Sequence, residues 1–339
     1  MKKILLSIVF FFLFSSVGYA GPCLTTIASA STNQLACADD DILNVTSAGS
    51  ITYSDNKAVD LEDISGVQIT NDGTIQTESG TNKQIAINAE SSLNTTITNN
   101  GTINSDNKYG VILSYAENVV ITNNAGATIS ADGNTAIYGK NVGNCHFNGT
   151  NCHSDLSGQS NGVGLTLHNH GTITSQHETV WLGSGSSGAH RSKGIKIYNY
   201  DGGIIKTTDE GDSPIKGFHL VDFEFINYQG GTIEGDDRHA VNTEQSEDIN
   251  FTNNGTITAT DKSAFYCKTC SDVTFNNTGT MTSGNNAVVI SNGDNISITN
   301  SGTITATADN SGLNISSSDG TVVTNTGTIS GVDHGMQSS

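Results

Sequence analysis

The stretch Phe251–Ile257 reads Phe-Thr-Asn-Asn-Gly-Thr-Ile and is the clearest copy of a motif that recurs along the chain. Each copy places an Asn two residues after an apolar residue, and Gly-Thr-Ile or a close variant follows. The marker residues are Asn71, Asn99, Asn123, Asn169, Asn199, Asn227, Asn253, Asn277, Asn300 and Asn325. Their successive spacings are 28, 24, 46, 30, 28, 26, 24, 23 and 25 residues. A fixed motif at a nearly fixed period predicts a solenoid.

Two irregularities are interpreted within the same scheme. A degenerate eleventh copy begins at Ile42 and uses Asn44 as its marker. The spacing of 46 residues between Asn123 and Asn169 is predicted to contain two coils, the middle motif having eroded.

Each coil contains two further short apolar runs, such as Ala287–Ile290 and Ile296–Ile298. The runs alternate with a period of two and are separated by Gly, Asn, Asp and Ser, which is typical of strands and turns. The sequence therefore predicts an all-β fold, a right-handed parallel β-helix (solenoid) of about 11–12 coils with three short strands per coil.

Alternation along a strand predicts that the first apolar residue and the marker Asn both point inward, with the Asn at a corner. Equivalent amides on neighbouring coils can then hydrogen-bond to one another as a structural Asn ladder. The Gly that follows is expected to supply unusual backbone dihedrals at the bend. The predicted inward column is Ile69, Ile97, Ile121, Leu167, Ile197, Phe225, Phe251, Phe275, Ile298 and Val323.

The chain divides into three predicted parts. Residues 1–20 have a charged start, an apolar core and a small-residue cleavage site, as in a secretory signal peptide. Residues 21–41 are expected to form an N-terminal disulfide-closed cap segment. Residues 42–339 form the β-helix, with an irregular loop insertion at about 141–162.

The composition is acidic, with a formal net charge of −19 that becomes −21 once Lys2 and Lys3 leave with the leader. The chain has two arginines, Arg191 and Arg238, so no basic patch for nucleic acid is expected. Hydrophobic residues make up 35% of the sequence, which is enough to line a narrow solenoid core.

The six cysteines fall into three local pairs, which favours disulfides in an exported protein. The pairs are Cys23 with Cys37, Cys145 with Cys152, and Cys267 with Cys270. The last pair forms a C-x-x-C motif, but the βαβ context of a redox site is missing.

A cluster of histidines accompanies the second cysteine pair between residues 141 and 191. These are His146, His153, His168, His170, His177 and His190. Cys and His are zinc ligands, but the spacing matches no standard finger, so we favour a disulfide-closed loop with surface histidines.

Two patterns invite an enzymatic interpretation. Ser213 lies in Gly-Asp-Ser-Pro and His239 closes Asp-Asp-Arg-His, an order superficially like that of GDSL-type esterases. Asp209, Asp237 and Asp261 follow the Gly-Thr-Ile position on consecutive coils and form a possible Ca²⁺ column. We favour turn preference as the explanation of these acidic residues, and we expect no catalytic residue, no bound metal and no cofactor.

The Asn-Asn-Gly-Thr-Ile coils resemble the passenger region of a bacterial autotransporter (type V secretion) or a related β-helical adhesin, over about residues 42–335. The resemblance implies export through the inner membrane and a position at the cell surface, at the outer membrane or outside the cell. Members of that family end in a translocator barrel. This sequence ends at Gly335–Ser339 without one, so such a barrel is an expected partner if the chain is truncated.

The leading functional hypothesis is a non-enzymatic surface or secreted solenoid that acts in adhesion, self-association or surface contact. Its expected partners are a cell-surface or glycan receptor or copies of itself. The alternative is a carbohydrate-active β-helix enzyme, a polysaccharide lyase or hydrolase. A uniform Ser/Thr/Asn face would favour the first hypothesis, and a cleft lined by carboxylates and aromatic residues the second.

Overall fold

The computed structural model describes residues 21–23, 25–78, 84–143, 146–147, 152–153, 163–184, 191–208, 211–308 and 310–339. The predicted signal peptide and Cys145 lie outside the described residues. Within these ranges every named element is a β-strand and no helix is present. The all-β prediction is confirmed.

Strands of two to six residues open the chain. They are β1 (Gly21–Pro22), β2 (Thr25–Ile27), β3 (Ala30–Ser31), β4 (Leu35–Ala36), β5 (Ile42–Val45), β6 (Ser50–Tyr53), β7 (Lys57–Asp60), β8 (Gln68–Asn71), β9 (Thr74–Thr77), β10 (Ile85–Asn88), β11 (Thr96–Asn99), β12 (Thr102–Ser105), β13 (Tyr109–Ile112), β14 (Val119–Asn123), β15 (Thr128–Ala131) and β16 (Thr135–Lys140).

The middle of the chain follows with β17 (His146–Phe147), β18 (Cys152–His153), β19 (Leu165–Asn169), β20 (Thr172–Ser175), β21 (Val180–Gly183), β22 (Ser192–Asn199), β23 (Ile204–Thr207), β24 (Ile215–Phe218), β25 (Leu220–Asn227), β26 (Thr232–Gly235), β27 (Val241–Glu244), β28 (Glu247–Asn253) and β29 (Thr256–Ala259). The last strands are β30 (Phe265–Lys268), β31 (Ser271–Asn277), β32 (Thr280–Ser283), β33 (Val288–Ser291), β34 (Asp294–Asn300), β35 (Thr303–Ala306), β36 (Ser311–Ser316), β37 (Val322–Asn325), β38 (Thr328–Ser330) and β39 (His334–Ser338).

Three parallel sheets are built from these strands, and each coil gives one strand to each sheet. Sheet A runs β1-β4-β7-β10-β13-β16-β21-β24-β27-β30-β33-β36-β39. Sheet B runs β2-β5-β8-β11-β14-β19-β22-β25-β28-β31-β34-β37, and it leads into the Asn corner. Sheet C runs β3-β6-β9-β12-β15-β20-β23-β26-β29-β32-β35-β38 and contains the Gly-Thr-Ile motifs. The thirteen, twelve and twelve strands agree with the predicted β-helix of three strands per coil.

The segment predicted as a cap supplies the first strands of all three sheets. β2 pairs with β5 and β3 pairs with β6, both parallel, and β1 pairs with β4. The Cys23–Cys37 disulfide joins this segment internally, with 4.6 Å between the Cα atoms. Stacking therefore begins before residue 42.

The two-coil interpretation of the 46-residue spacing is wrong. β14 pairs directly with β19, so Asn123 and Asn169 lie on adjacent coils. In sequence, the additional residues lie between β16, which ends at Lys140, and β19. Within them, β17 and β18 form a two-stranded antiparallel sheet.

The predicted inward column is confirmed from Ile69 to Ile298, where each side chain is at most 1% exposed. Val323, at the last coil, is only partly buried. In the middle of the column the rings of Phe225, Phe251 and Phe275 stack, with centroids 5.0 Å and 4.9 Å apart. In-register stacking of one side-chain type thus fills the narrow core.

The degenerate first copy has a different register from the predicted one. Leu43 pairs with Ile69 and is buried, whereas Ile42 pairs with Gln68 and is 43% exposed. Consequently Val45 occupies the position beneath Asn71, and Asn44 points outward. Asn44 is therefore not a member of the Asn ladder.

The dihedral explanation of the corner glycines holds at the longer corners, where Gly126, Gly202 and Gly230 have positive φ. At the short corners glycine serves a steric purpose instead. A Cβ on Gly255 would lie 2.4 Å from the carbonyl oxygen of Gly231 on the preceding coil. Gly279 and Gly302 would meet the preceding corner carbonyl at 2.2 Å, and none of these residues has a positive φ. Glycine is required because the corners of successive coils are in contact.

The Asn ladder is present along ten coils. Each marker Asn donates from Nδ2 to Oδ1 of the marker on the next coil, over 2.7 to 2.9 Å, in nine consecutive hydrogen bonds from Asn71 to Asn325. A second Nδ2 bond reaches a backbone carbonyl of that next coil, for instance from Asn253 to Thr280 O over 3.3 Å. The ladder begins at Asn71, whose Oδ1 is buried without a partner because Val45 lies below it.

Replacing Asn253 by Leu should lower the free energy of unfolding by about 1–3 kcal/mol, because it removes the ladder acceptor of Asn227 Nδ2 and leaves Asn277 Oδ1 without its ladder donor. Asn250, an exposed amide on the same strand, provides the matched control. Asn250→Leu should change stability by no more than about 0.5 kcal/mol. Denaturant unfolding of both variants measures the difference, and equal midpoints would contradict the contribution of the ladder.

Candidate functional site

A concave site of about 320 Å³, here called the sheet A cavity, opens on the outward face of sheet A. Its floor is formed by β24, β27 and β30. Parallel pairing in register arranges the outward side chains of these strands in two files, Lys216–Asn242–Tyr266 and Phe218–Glu244–Lys268.

The walls of the cavity come from the turns that precede β24 and β27. Seven residues separate β23 from β24, and this long turn supplies Asp212 and Ser213. The turn before β27 supplies Arg238 and His239. Arg238 Nε donates to Gly211 O over 2.7 Å and so ties the two turns together.

Asp212 and Lys216 both have partners on the preceding coil. Asp212 Oδ2 lies 2.8 Å from His177 Nδ1. Lys216 Nζ donates to Glu178 Oε1 over 2.7 Å. These contacts fix the turn before β24 and the start of β24 against the preceding coil.

The ring of His239 has a fixed tautomer. Its Nδ1 accepts the backbone N–H of Ser263 over 3.2 Å, and the ring stacks on Tyr266 at 4.1 Å between centroids. Burial, aided by the positive charges of Lys262 and Arg238, lowers the pKa of His239 from its ordinary 6.5 to about 4. At neutral pH the ring is therefore uncharged, and its proton is on Nε2.

This tautomer does not suit an esterase. Ser213 and His239 do line one cavity, as the sequence order suggested. However, a general base needs a free ring nitrogen toward the nucleophile, and the single lone pair of His239 is engaged by Ser263. The ring can donate a hydrogen bond from Nε2 but has no base to offer Ser213.

Asn242 carries an unpaired acceptor at the cavity floor. The residue is 7% exposed, its Nδ2 donates to Glu244 Oε1 over 3.3 Å, and its Oδ1 is buried without a partner. A carboxylate only accepts hydrogen bonds, so the amide nitrogen must face Glu244 and the orientation is fixed. An acceptor left unpaired in this way has an energetic cost that a donor from a ligand would remove.

The charge of the cavity differs in sign from that of the chain. Three cations line it against two carboxylates, which gives a formal charge of +1, whereas the whole sequence has −19. Lys268 is exposed and has no ion-pair partner among the described residues. The lining charges are Lys216, Arg238 and Lys268 against Asp212 and Glu244.

A second candidate surface is the outward face of sheet C, here called the threonine face. Strand pairing aligns Thr256, Thr280, Thr303 and Thr328 in one file. A parallel file contains Thr258, Thr282, Thr305 and Ser330. Among all described strands of sheet C, the charged residues are Lys206 and Glu234, on adjacent coils.

The structure describes two of the three residues of the predicted Ca²⁺ column. Asp209 lies outside the described residues, and the pairing of β26 with β29 brings Asp237 and Asp261 into register. A different acidic column, not predicted from the sequence, lies near the starts of the sheet B strands β25, β28 and β31, at Asp222, Asp248 and Asp272. Desolvation and the carboxylates of Asp222 and Asp272 raise the pKa of Asp248.

The described part of the chain contains no group of three or more His, Cys, Asp or Glu side chains that could hold a metal ion. Two of the clustered histidines instead pack against tyrosines. His170 stacks on Tyr200 at 4.2 Å, Tyr200 stacks on Tyr228 at 4.8 Å, and His168 Nδ1 lies 3.0 Å from Tyr200 Oη.

Sheet A has a similar stack of Tyr109, Tyr138 and Trp181, with centroids 4.6 Å and 4.7 Å apart. Tyr138 therefore has a ring stacked on each of its two sides, Tyr109 and Trp181. A sugar ring would need an open aromatic face, so this stack mainly stabilises neighbouring coils. Strand pairing aligns Tyr138 with Trp181, whereas Tyr109 is in register with Thr135.

Cys267 and Cys270 form a disulfide in which both residues are at most 2% exposed. Cys267 lies on β30 and Cys270 directly precedes β31, so no helix begins there. The site therefore lacks the setting of a C-x-x-C redox motif. The third predicted pair includes Cys145, which is outside the described residues.

No helix in the described ranges has the length and apolar character needed to cross a bilayer.

The buried ring of His239 predicts a pH-dependent stability. The unfolded chain takes up a proton near pH 6.5 and the folded chain only near pH 4. The contribution is fully present above pH 6.5 and is lost as the pH falls toward 4, by roughly 3 kcal/mol. Denaturant unfolding at pH 7 and pH 4.5 should show a smaller loss for His239→Gln than for the unchanged chain.

His334→Gln, at an exposed histidine, should retain the pH profile of the unchanged chain. A histidine NMR titration gives a direct reading, and a ring of His239 that titrates near pH 6.5 would contradict the described environment.

Comparisons of the chain with protein-family models, with curated proteins and with solved structures give no match.

Proposed function

We propose that the protein is an exported, non-enzymatic β-helix that acts in adhesion, self-association or surface contact. Export is supported by the signal-peptide pattern of residues 1–20. The parallel β-helix is compatible with the passenger region of an autotransporter, which the coil motif resembles.

The observation that carries the proposal is the threonine face. From β29 to β38 it presents two files of hydroxyl side chains in register and no charge. The chain as a whole is strongly acidic. Two such rods therefore meet the least electrostatic repulsion when they approach through sheet C.

Repetition converts weak contacts into a stable association. Threonines on successive coils are about 4.8 Å apart, one strand spacing. A partner that engages one coil is already positioned for the next, so the contacts act together and avidity exceeds any single affinity. A rod with a uniform face suits either a repetitive surface or another copy of itself.

The enzymatic alternative receives less support from the geometry. The sheet A cavity has carboxylates and one aromatic residue, but the bonding of His239 provides no base for Ser213. Turnover on a panel of acidic glycans, lost on Asp237→Asn, would favour the enzyme and overturn the non-enzymatic proposal.

Self-association should increase with ionic strength, because the Debye length falls from about 30 Å at 0.01 M to about 8 Å at 0.15 M salt. The triple variant Thr258→Glu, Thr282→Glu, Thr305→Glu places three charges on the threonine face and should abolish association. Sedimentation velocity and adhesion to coated surfaces, each measured across that salt range, test both effects.

The control adds the same charge to the outward face of sheet B. Asn250, Thr274 and Ser297 are exposed and aligned there, and their replacement by Glu should leave association unchanged. A chain that stays monomeric and non-adherent at every salt concentration would overturn the proposal, as would equal loss in both triple variants.

A further inference from the structure

We propose that the sheet A cavity is a binding site for one carboxylate-bearing sugar residue, such as a hexuronic acid within an acidic glycan. The inference goes beyond the contact function of the threonine face, because it assigns a ligand class to a different sheet. The cavity combines cations, an unpaired acceptor on Asn242 and a donor on His239. The cations suit the carboxylate of such a sugar, and the acceptor and the donor suit its hydroxyls.

The carboxylate of the sugar would be held at the open side by Lys268 and Arg238. Both side chains are exposed at the cavity, and Arg238 is anchored to Gly211 O through Nε. Lys268 is not engaged by a carboxylate of the described chain. Charge-assisted hydrogen bonds of this kind are the stronger ones in proteins.

The sugar hydroxyls account for the polar groups of the floor and wall. Asn242 Oδ1 is buried and unpaired, and a hydroxyl donor would satisfy it. His239 offers an Nε2 hydrogen, since its Nδ1 is occupied by Ser263. A hydroxyl both donates and accepts, so adjacent hydroxyls of one ring can serve both groups.

The remaining carboxylates restrict the charge of the ligand. Asp212 and Glu244 line the same cavity, so a multiply charged anion such as phosphate would be repelled by both. A single carboxylate with several hydroxyls leaves these two groups as hydrogen-bond acceptors. The volume of about 320 Å³ is at the lower end for small-molecule sites, which suits one sugar ring.

Isothermal titration calorimetry of the purified protein with a uronate trisaccharide tests the assignment. Neutral trisaccharide of the same linkage, sodium acetate and inorganic phosphate are the comparison ligands. We expect binding of the uronate alone, with an affinity that falls as salt is added. Lys268→Met and Asn242→Leu should each weaken it about tenfold or more.

Lys140→Met is the matched control, since Lys140 lies in the same outward file of sheet A as Lys268 but four strands away and outside the cavity lining, and it should alter affinity less than about twofold. Lys268 is exposed, so its variant should fold normally and keep the test valid if Asn242→Leu does not. Equal binding of the neutral sugar, competition by acetate or phosphate, or no binding of uronate would each overturn the inference. None of these outcomes bears on the proposal for the threonine face, which is tested by its own charge variants.

Discussion

The amide ladder at the corner between sheets B and C is the interaction on which the rest of the molecule depends. Each ladder Asn uses one Nδ2 hydrogen for the next Oδ1 and the other for a backbone carbonyl, as Asn253 does with Asn277 and Thr280. Both acceptors lie on the following coil, so every amide has the same orientation and the ladder has a direction. Asp would lack the donor and Leu would lack both functions, which explains why Asn recurs at this position.

Register follows from the same corner. The glycine beside the ladder has no space for a Cβ against the carbonyl of the coil below, so the corners are in direct contact. Once they are in contact, the outward residues of neighbouring coils are aligned as well. The threonine face is therefore read directly from the sequence when coils are aligned by their Asn markers.

The coil motif was sufficient to predict the strands, the inward column and the ladder, because these depend on local alternation repeated at one period. The first coil was misaligned by one residue because Val45 replaces Asn, and the apolar residues Ile42 and Leu43 both fit an inward position. The 46-residue spacing was misread because sequence spacing alone does not distinguish an eroded coil from an insertion, whereas pairing of β14 with β19 does.

The sheet A cavity was beyond the same reasoning, since it depends on differences between coils. Seven residues separate β23 from β24 and five separate β26 from β27, and the longer connection contributes Asp212 and Ser213 to the cavity. The order of Ser213 and His239 along the chain is like that of an esterase. The tautomer of His239, which depends on Ser263 one coil away, is visible only in three dimensions.

Stacking at one strand spacing also constrains where charge can be placed. Identical charges in one file would repel at about 4.8 Å, and the carboxylates of Asp222 and Asp272 add to desolvation in raising the pKa of Asp248 between them. Elsewhere charges pair across coils, as Lys196 does with Glu224 at 3.9 Å. Uncharged threonine avoids the problem, so a threonine file satisfies the fold and offers a repeated contact surface at once. A site that selects one ligand needs different side chains on neighbouring coils. The file of Lys216, Asn242 and Tyr266 at the sheet A cavity changes residue type in this way.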